Sequence, residues 1–532
     1  MIRIKNFNVP FNDVSPIDVL VAKRLKLPPQ AISEVVIVRK GIDARRYKGA
    51  PINFVYILNV KVNLAEKKVL AKLRHDKNVE IISAEKTEVI KPTKVSKYRP
   101  IIVGFGPAGM FSALTLAKNG YAPIIFERGA DVDTRHRDIE DFWQGGALKK
   151  NSNVQFGEGG AGTFSDGKLT TRINDSKISD VLDAFVEAGA PAEIKYLHKP
   201  HIGTDILRTV VKNIRKKIIS LGGEIHFNSL VTDIIIKNDA VVGVEINHKD
   251  KYDCSKVFFG IGHSARDTYK MLFDKGLSMQ AKPFAVGVRI EHPQDLIDKS
   301  QYGVDAGNPI LPVSDYAVTY NNKQKGRSVY SFCMCPGGQV VAAASEIGRV
   351  VVNGMSNYKR DSGIANSALL VNVTPDDFGH NVLDGIAFQR HYEEMAFICG
   401  GKNYHAPVQT VGDFLQHKTG SDNFLTEPTY KPGITLCDLH DCLPNFTTEM
   451  LEEALPYFDK KIHGFADEKV IMTGVEMRSS APCRIVRNRD NYMSINVAGF
   501  YPIGEGAGYA GGIMSAAVDG VNAAYAYLED KI

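Results

Sequence analysis

Three clusters of residues in this chain have types and spacings that could do chemistry. Gly104, Gly106 and Gly109 stand as G-x-G-x-x-G within RPIIVGFGPAGMFSALTLAKNGYAPIIFER, residues 99–128. The first glycine permits a tight turn, the second lets a pyrophosphate approach the backbone, and the third lets a helix pack on a strand. Pro107 and Ala108 open that helix, whose free N–H groups attract an anion. Glu127, 21 residues after Gly106, ends the next apolar run where a ribose hydroxyl would lie, with Arg128 beside it. The second cluster is NVQFGEGGAGTFSDGKLTTR, residues 153–172. There Gly157, Gly159, Gly160 and Gly162, with Thr163 following, imply backbone running close to something flat or anionic. The third cluster is thiol-bearing: Cys333-Met-Cys335, and Cys437 with Cys442. These pairs invite a redox reading but lack a C-x-x-C, a four-cysteine spacing or a histidine partner, so they read as ordinary cytosolic thiols and no metal site is expected.

The first cluster needs a strand, a turn, a helix and a second strand to position it. Residues 101–103 supply an apolar strand, a helical pattern runs to Lys118 and Gly120 ends it, and 124–126 begin a second strand. That βαβ context with a closing acid makes the motif a dinucleotide fingerprint rather than a set of turn glycines. Beyond it, residues 177–188 and 205–221 read as helices, 224–227 as a strand and 228–258 as a small meander. The strand expected at 256–261 returns to the main sheet before Gly262, leaving His263 at the edge where ligands bind. A loop histidine capping a helix is the alternative reading of His263. Residues 281–482 form a large insertion, with strands expected at 285–290, 317–320, 328–334, 339–344 and 368–373 and a helix at 383–399. A strand at 494–497 and a helix opened by Gly511-Gly512 complete the chain.

The N-terminal segment differs in character. Strands at 2–9, 33–40, 53–62 and 79–84 and helices at 16–25 and 65–74 give βαββαβ, the order of a ferredoxin-like split domain. Residues 1–99 carry 21 Lys+Arg against 9 Asp+Glu, a balance of +12, so the remaining chain carries −7 of the total +5. The basic surface suits nucleic acid, the acidic remainder of the chain, or solvent. No aromatic ribonucleoprotein signature decides among them. Residues 91–100, KPTKVSKYRP, read as the linker.

With 532 residues the chain suits about three domains. Seven cysteines without a framework spacing imply reduced thiols. The N-terminus lacks a signal-peptide core and no run reaches about 18 apolar residues, which predicts a soluble, cytoplasmic protein without a membrane span.

Five ordered segments together resemble the bacterial family of FAD-dependent dehydrogenases described as NAD(FAD)-utilising. They are GFGPAG with Glu127-Arg128, the glycine-rich 153–172, GIGHSARD at 260–267, GVEMRSSAPCRIVR at 474–487 and YPIGEGAGYAGGI at 501–513. More distantly the chain is similar to fumarate reductase flavoproteins and geranylgeranyl reductases. The resemblance implies an α/β fold: a Rossmann-like FAD-binding domain in two parts, 96–280 and 483–532, an inserted α+β capping domain, 281–482, and the ferredoxin-like domain, 1–95. It implies FAD, with adenine near Val231, the polyol hydroxyls on Glu505 after Gly504, and the Gly512 and Ile513 N–H groups at the flavin. The absence of histidine from 153–172 implies non-covalent attachment. For the substrate pole it implies Arg478 as a carboxylate clamp and Lys168 or Glu476 as proton relays, with structural ion pairing as the alternative for each. No second G-x-G-x-x-G opens a helix, so electrons would come from NAD(P)H bound transiently or from a donor protein. The implied activity is an FAD-dependent oxidoreductase on an organic small molecule. An RNA-directed flavoenzyme and a non-catalytic flavin-stabilised binding protein are the alternatives.

Overall fold

Strand Ile101–Val103 is buried along its whole length and lies at the middle of a five-stranded parallel sheet in the computed structural model, which describes residues 1–45, 51–73, 76–82 and 98–529. Across that sheet the order is Phe500–Pro502, Val257–Phe259, Ile101–Val103, Ile124–Phe126, Glu224–His226. Helix Pro107–Lys118 follows the central strand, and ten of its twelve residues, Ala108 to Ala117, are buried. A helix apolar all round must be covered on several sides. The C-terminal helix Ile513–Glu529 covers one of them, with Ser112 Oγ donating to Gly520 O at 2.8 Å. A three-stranded antiparallel meander, Val231–Lys237, Ala240–Ile246 and Asp250–Asp253, lies between the sheet strands Glu224–His226 and Val257–Phe259 in chain order.

The chain leaves and re-enters this region through two short strands paired side by side, Met279–Ala281 and Cys483–Ile485, with Ala281 opposite Cys483. Between them a seven-stranded mixed sheet forms, in the order Thr319–Asn322, Arg327–Cys335, Ile364–Val373, Phe284–Pro293, Ile471–Glu476, Ala406–Thr410, Ile434–Leu436. Its central strands are buried on both faces, so they carry no alternation of apolar and polar residues. For that reason the strands Ile471–Glu476 and Ala406–Thr410 are absent from the sequence expectation, and the three-residue edge strand Ile434–Leu436 is too short to show a period. The expected strand near 339–344 forms, as Gly338–Ala342, but in a separate hairpin with Val352–Ser356. The strand expected at 494–497 does not form. Asn496 donates to Gly276 O at 2.8 Å, Ser494 Oγ donates to Asn496 Oδ1 at 3.1 Å, and the sheet strand begins only at Phe500. Short polar side chains that bond locally to backbone compete with strand pairing.

The described residues fall into two units. The smaller holds Met1–Lys91 together with Pro191–Pro200 and Asp298–Pro312, and the larger holds everything above. In the smaller unit, strands Ile2–Pro10, Ile32–Asp43, Asn53–Val62 and Val79–Ile81 form an antiparallel sheet. The order across it places Ile2–Pro10 between Asn53–Val62 and Val79–Ile81, with Ile32–Asp43 outermost. Helices Ile17–Leu25 and Glu66–Lys72 contribute Val21, Leu25 and Val69 to a core with Ile2, Ile4, Leu58 and Val60. The later segments are joined to this unit by backbone bonds, Lys40 N–H to Tyr196 O at 2.7 Å and His198 N–H to Lys40 O at 2.8 Å. A small cluster of Ile52, Tyr302 and Leu311 adds to them. The expected linker up to residue 97 and the end of the last strand at Ala84 lie outside the described residues. Among those described, no helix is long and apolar enough to cross a membrane.

Candidate functional site

A cavity of about 360 Å³ opens at the ends of the parallel strands in the larger unit. Gly104, Gly106, Pro107 and Ala108 line it where the central strand turns into helix Pro107–Lys118, so the helix N-terminus faces the space. A Cβ on Gly109 would fall 2.0 Å from Gly104 O, so this close approach of helix to turn requires glycine. Gly109 itself lies behind the lining.

Glu127 lines the cavity and is nearly buried, and its carboxylate is already engaged by the protein. Oε2 accepts from Phe105 N–H at 2.7 Å, and Oε1 accepts from Gly129 N–H at 2.9 Å and Gly157 N–H at 3.0 Å. It therefore ties the glycine-rich segment to the phosphate turn as well as facing the ligand space. Arg128 pairs with Asp267 at 2.7 Å, donates to Asn151 and lies over the Phe156 ring, while its Nε is buried without a partner. Sequence reasoning missed the residue that shapes the glycine-rich segment, Arg135. Its guanidinium is fully buried and donates to the carbonyls of Asn153, Val154, Gly157, Glu158 and Gly160. Burial pushes its pKa down to about 9 against the pull of Glu127 and Glu158. A Cβ on Gly157 would sit 2.5 Å from Arg135 Cδ, which is the signal that glycine in this segment makes room for a buried cation. Gly160 and Gly162 line the cavity, whereas Gly159 and Thr163 lie behind it, with Thr163 O accepting from Thr204 Oγ1 at 2.7 Å.

One end of the cavity is apolar, formed by Phe126, Leu230 and Val231. The other end gathers Asp166, Lys168, Phe332, Cys333, Glu476 and Glu505, with Gly262, His263 and Arg478 also on the lining. Gly512 and Ile513 face this space from the start of the C-terminal helix, and Gly504 stands behind with its N–H donating to Asp519 at 2.7 Å. Lys168 approaches the buried Asp166 at 4.0 Å, and Arg360 holds the same carboxylate at 2.6 Å. The Glu505 carboxylate has no hydrogen bond or ion pair among the described residues, and burial, opposed by Lys282, raises its pKa to about 7.

The expected carboxylate clamp is committed elsewhere. Arg478 directs Nε and Nη2 at Glu393, each at 2.9 Å, and Arg266 pairs with the same carboxylate at 2.6 Å. The bidentate face of Arg478 is thus occupied by a fully buried glutamate on helix Asp384–Cys399, the structural ion pairing that was the alternative reading of this residue. Glu476 is likewise held by Arg289, at 2.8 Å, and burial raises its carboxyl while Arg289 opposes that. His263 accepts from or donates to Ser264 Oγ at 2.9 Å; burial, reinforced by Arg478 and Arg266, holds its imidazole well below the ordinary range and so neutral.

The residues present fit a dinucleotide carrying a polyol and a flat ring. Glu505 offers acceptors with no protein donor, and a Cβ added to Gly511 or Gly512 would meet nothing within 4 Å, leaving open space before the helix start. Residues 283–479 match the family model described as FAD-dependent protein, C-terminal domain-like, and residues 1–61 match a domain of unknown function. An uncharacterised protein of Clostridium beijerinckii is 50% identical over 99% of this chain and 98% of its own length. The chain belongs to the same family as that protein. Thiamine thiazole synthase of Thermotoga maritima is 24% identical over 40% of this chain and 72% of its own. Two solved structures resemble the fold at low scores. Glycine oxidase from Bacillus cereus has 12% identity, covers 82% of this chain and 96% of its own, and gives a TM-score of 0.32. A geranylgeranyl bacteriochlorophyll reductase-like protein from Thermoplasma acidophilum has 14% identity, covers 81% and 78%, and gives 0.34.

Proposed function

We propose that this protein is an FAD-dependent oxidoreductase that acts on a small organic molecule and takes electrons from transiently bound NAD(P)H or from a donor protein. The observation that carries the reading is the single cavity joining a phosphate-binding helix start to a second helix start beside an unpartnered carboxyl. Non-covalently bound FAD would supply a carrier for an electron pair. Gly104, Gly106, Pro107 and Ala108 would hold the pyrophosphate through helix N–H groups, and Glu127 and Val231 the adenosine. Glu505 would accept from polyol hydroxyls, and the N–H groups of Gly512 and Ile513 would favour negative charge beside them. Lys168 stands as the cation at the substrate pole and Glu505, near neutrality, as a group able to hold or release a proton there. Arg478, Glu476 and His263 would act on substrate by fixing the walls rather than by touching it, since each is engaged by protein.

The larger fold reading belongs to the same proposal. The sheet order of the smaller unit supports a ferredoxin-like domain, and the seven-stranded sheet supports an insertion that caps the ligand. The test is the purified protein itself. Acid precipitation should release FAD into the supernatant, and anaerobic NADH or NADPH, or failing these a reduced donor protein, should bleach the bound flavin. In Gly106→Val the new Cβ has room, its nearest neighbour being Gly160 Cα at 3.6 Å, but the branched methyls would fill the phosphate space. That variant should fold and lack FAD. Stoichiometric FAD in Gly106→Val, or a wild-type protein without flavin, would overturn the reading.

A further inference from the structure

Cys333 reads in sequence as an ordinary thiol, yet the fold carries it to the substrate end of the cavity, in the same lining as Lys168 and Glu505. The strand Arg327–Cys335 pairs Phe332 with Ala368 and then Cys335 with Asn366, so two residues, Cys333 and Met334, stand opposite the single Ser367. This is a β-bulge, and Cys333 sits in it with φ +43°. Bulges re-aim side chains and recur beside active sites. In a regular strand residues two apart are separated by about 6.7 Å along the chain, at the outer limit for a disulfide. The bulge breaks that regular spacing: Cys335 Sγ turns back onto the Cys333 backbone and donates to Cys333 O at 3.2 Å. Arg289 Nη1 donates to Cys333 O at 2.9 Å and holds the bulge in place.

We propose that Cys333 and Cys335 are a redox-active dithiol that exchanges an electron pair with FAD held in this cavity. Oxidation breaks two S–H bonds and forms one S–S bond, and the two electrons and two protons pass to oxidised flavin, which is thereby reduced; the reverse reaction restores both thiols. Cys335 is fully buried and Cys333 is partly exposed, so an external disulfide meets Cys333 first and Cys335 resolves the mixed disulfide. That assigns disulfides as the substrate class. The environment agrees with this division: the neighbouring Cys335, with Lys168 and Arg289 nearby, holds the Cys333 thiol below its ordinary range, and thiolate is the attacking form.

The inference rests on the proposed FAD site, and one experiment separates the two. Holoprotein fully reduced with dithionite is titrated anaerobically with ferricyanide, and the cysteine-containing peptides are weighed after alkylation. The wild type should release two electrons per FAD beyond those of the flavin, the content of one dithiol couple. The peptide carrying Cys333 and Cys335 should escape alkylation and lose two hydrogens. Cys335→Ser should release the flavin's electrons alone. A flavin-loaded wild type without the extra pair, or with it traced to Cys399, Cys437 or Cys442, overturns the dithiol and leaves the FAD site standing. A protein without flavin overturns both. The wild-type stoichiometry and peptide masses decide the matter even where a cysteine variant does not fold.

Discussion

Replacing Glu393 by Gln should cost the protein about 3 kcal/mol at neutral pH, and the cost should vanish in acid. Glu393 is wholly buried and accepts from two guanidiniums, Arg266 at 2.6 and 2.8 Å and Arg478 at 2.9 Å twice, whose own side chains are only 1% and 3% exposed. Removing one partner of such a buried pair leaves uncompensated charge, at about 3–5 kcal/mol. The carboxyl's titration gives a second route to the figure. Burial alone would raise its pKa; Arg266 and then Arg478 overcome that and lower it from 4.5 to about 2. At 1.36 kcal/mol per pH unit this is again about 3 kcal/mol. Because the folded value is depressed, the contribution is fully present above the unfolded pKa near 4.5 and is lost as pH falls towards 2. Thermal unfolding followed by circular dichroism from pH 7 downward checks both parts. Glu393→Gln should melt roughly 3 °C below wild type at pH 7, and the gap should narrow below pH 4.5 and close towards pH 2. A gap under about 1 °C at pH 7, or one that is constant with pH, would refute the argument that this network holds the cavity wall.

Glu505 should behave in the opposite sense. Its folded carboxyl is raised to about 7 by burial, so flavin-free wild type should lose stability as pH rises from about 4.5 through 7, and flavin-free Glu505→Gln should be the more stable of the two at pH 8 but not at pH 5. Unfolding midpoints at the two pH values measure this. A shortened chain beginning at Lys94 should retain FAD, since every lining residue follows Val103, but should melt lower than the full chain. It loses the partners of Tyr302 and Leu311, each now nearly buried and each accounting for about 1.5–3 kcal/mol; flavin stoichiometry and the midpoint are the measurements.

What was legible in the sequence was local. Ile101 to Phe126 contain strand, turn, helix and strand in unbroken order, so the spacing of Gly104, Gly106 and Gly109 could be read against its own context. The outward-facing sheet of the smaller unit alternates well enough to show its strands, and the side-chain bulge between Ile4 and Phe7 shifts the alternation without hiding it. Strands covered on both faces, such as Ile471–Glu476, give no period to read. The ion pairs were hidden for a different reason. Arg478 meets Glu393 across 85 residues and Arg289 meets Glu476 across 187, and residue type alone cannot say which buried carboxylate answers which guanidinium. The motif alone therefore left Arg478 between a substrate clamp and a structural ion pair, and only the packing of helix Asp384–Cys399 shows the partner.

The distribution of those pairs has a chemical consequence. A buried charge needs a partner or it neutralises, so the charges that merely build the cavity should be found in tight pairs and the groups left for chemistry should not. Arg128 is answered by Asp267, Arg289 by Glu476, Arg266 and Arg478 by Glu393, and Arg360 by Asp166. Three groups of the lining are not held in this way: Lys168, whose nearest carboxylate is 4.0 Å away and already held; Glu505, whose carboxylate has no partner among the described residues; and the Cys333 thiol, which stands in the bulge beside Cys335. Lys168, the Glu505 carboxyl and the Cys333 thiol thus line one ligand space, and the paired charges around them hold its walls without competing for a proton.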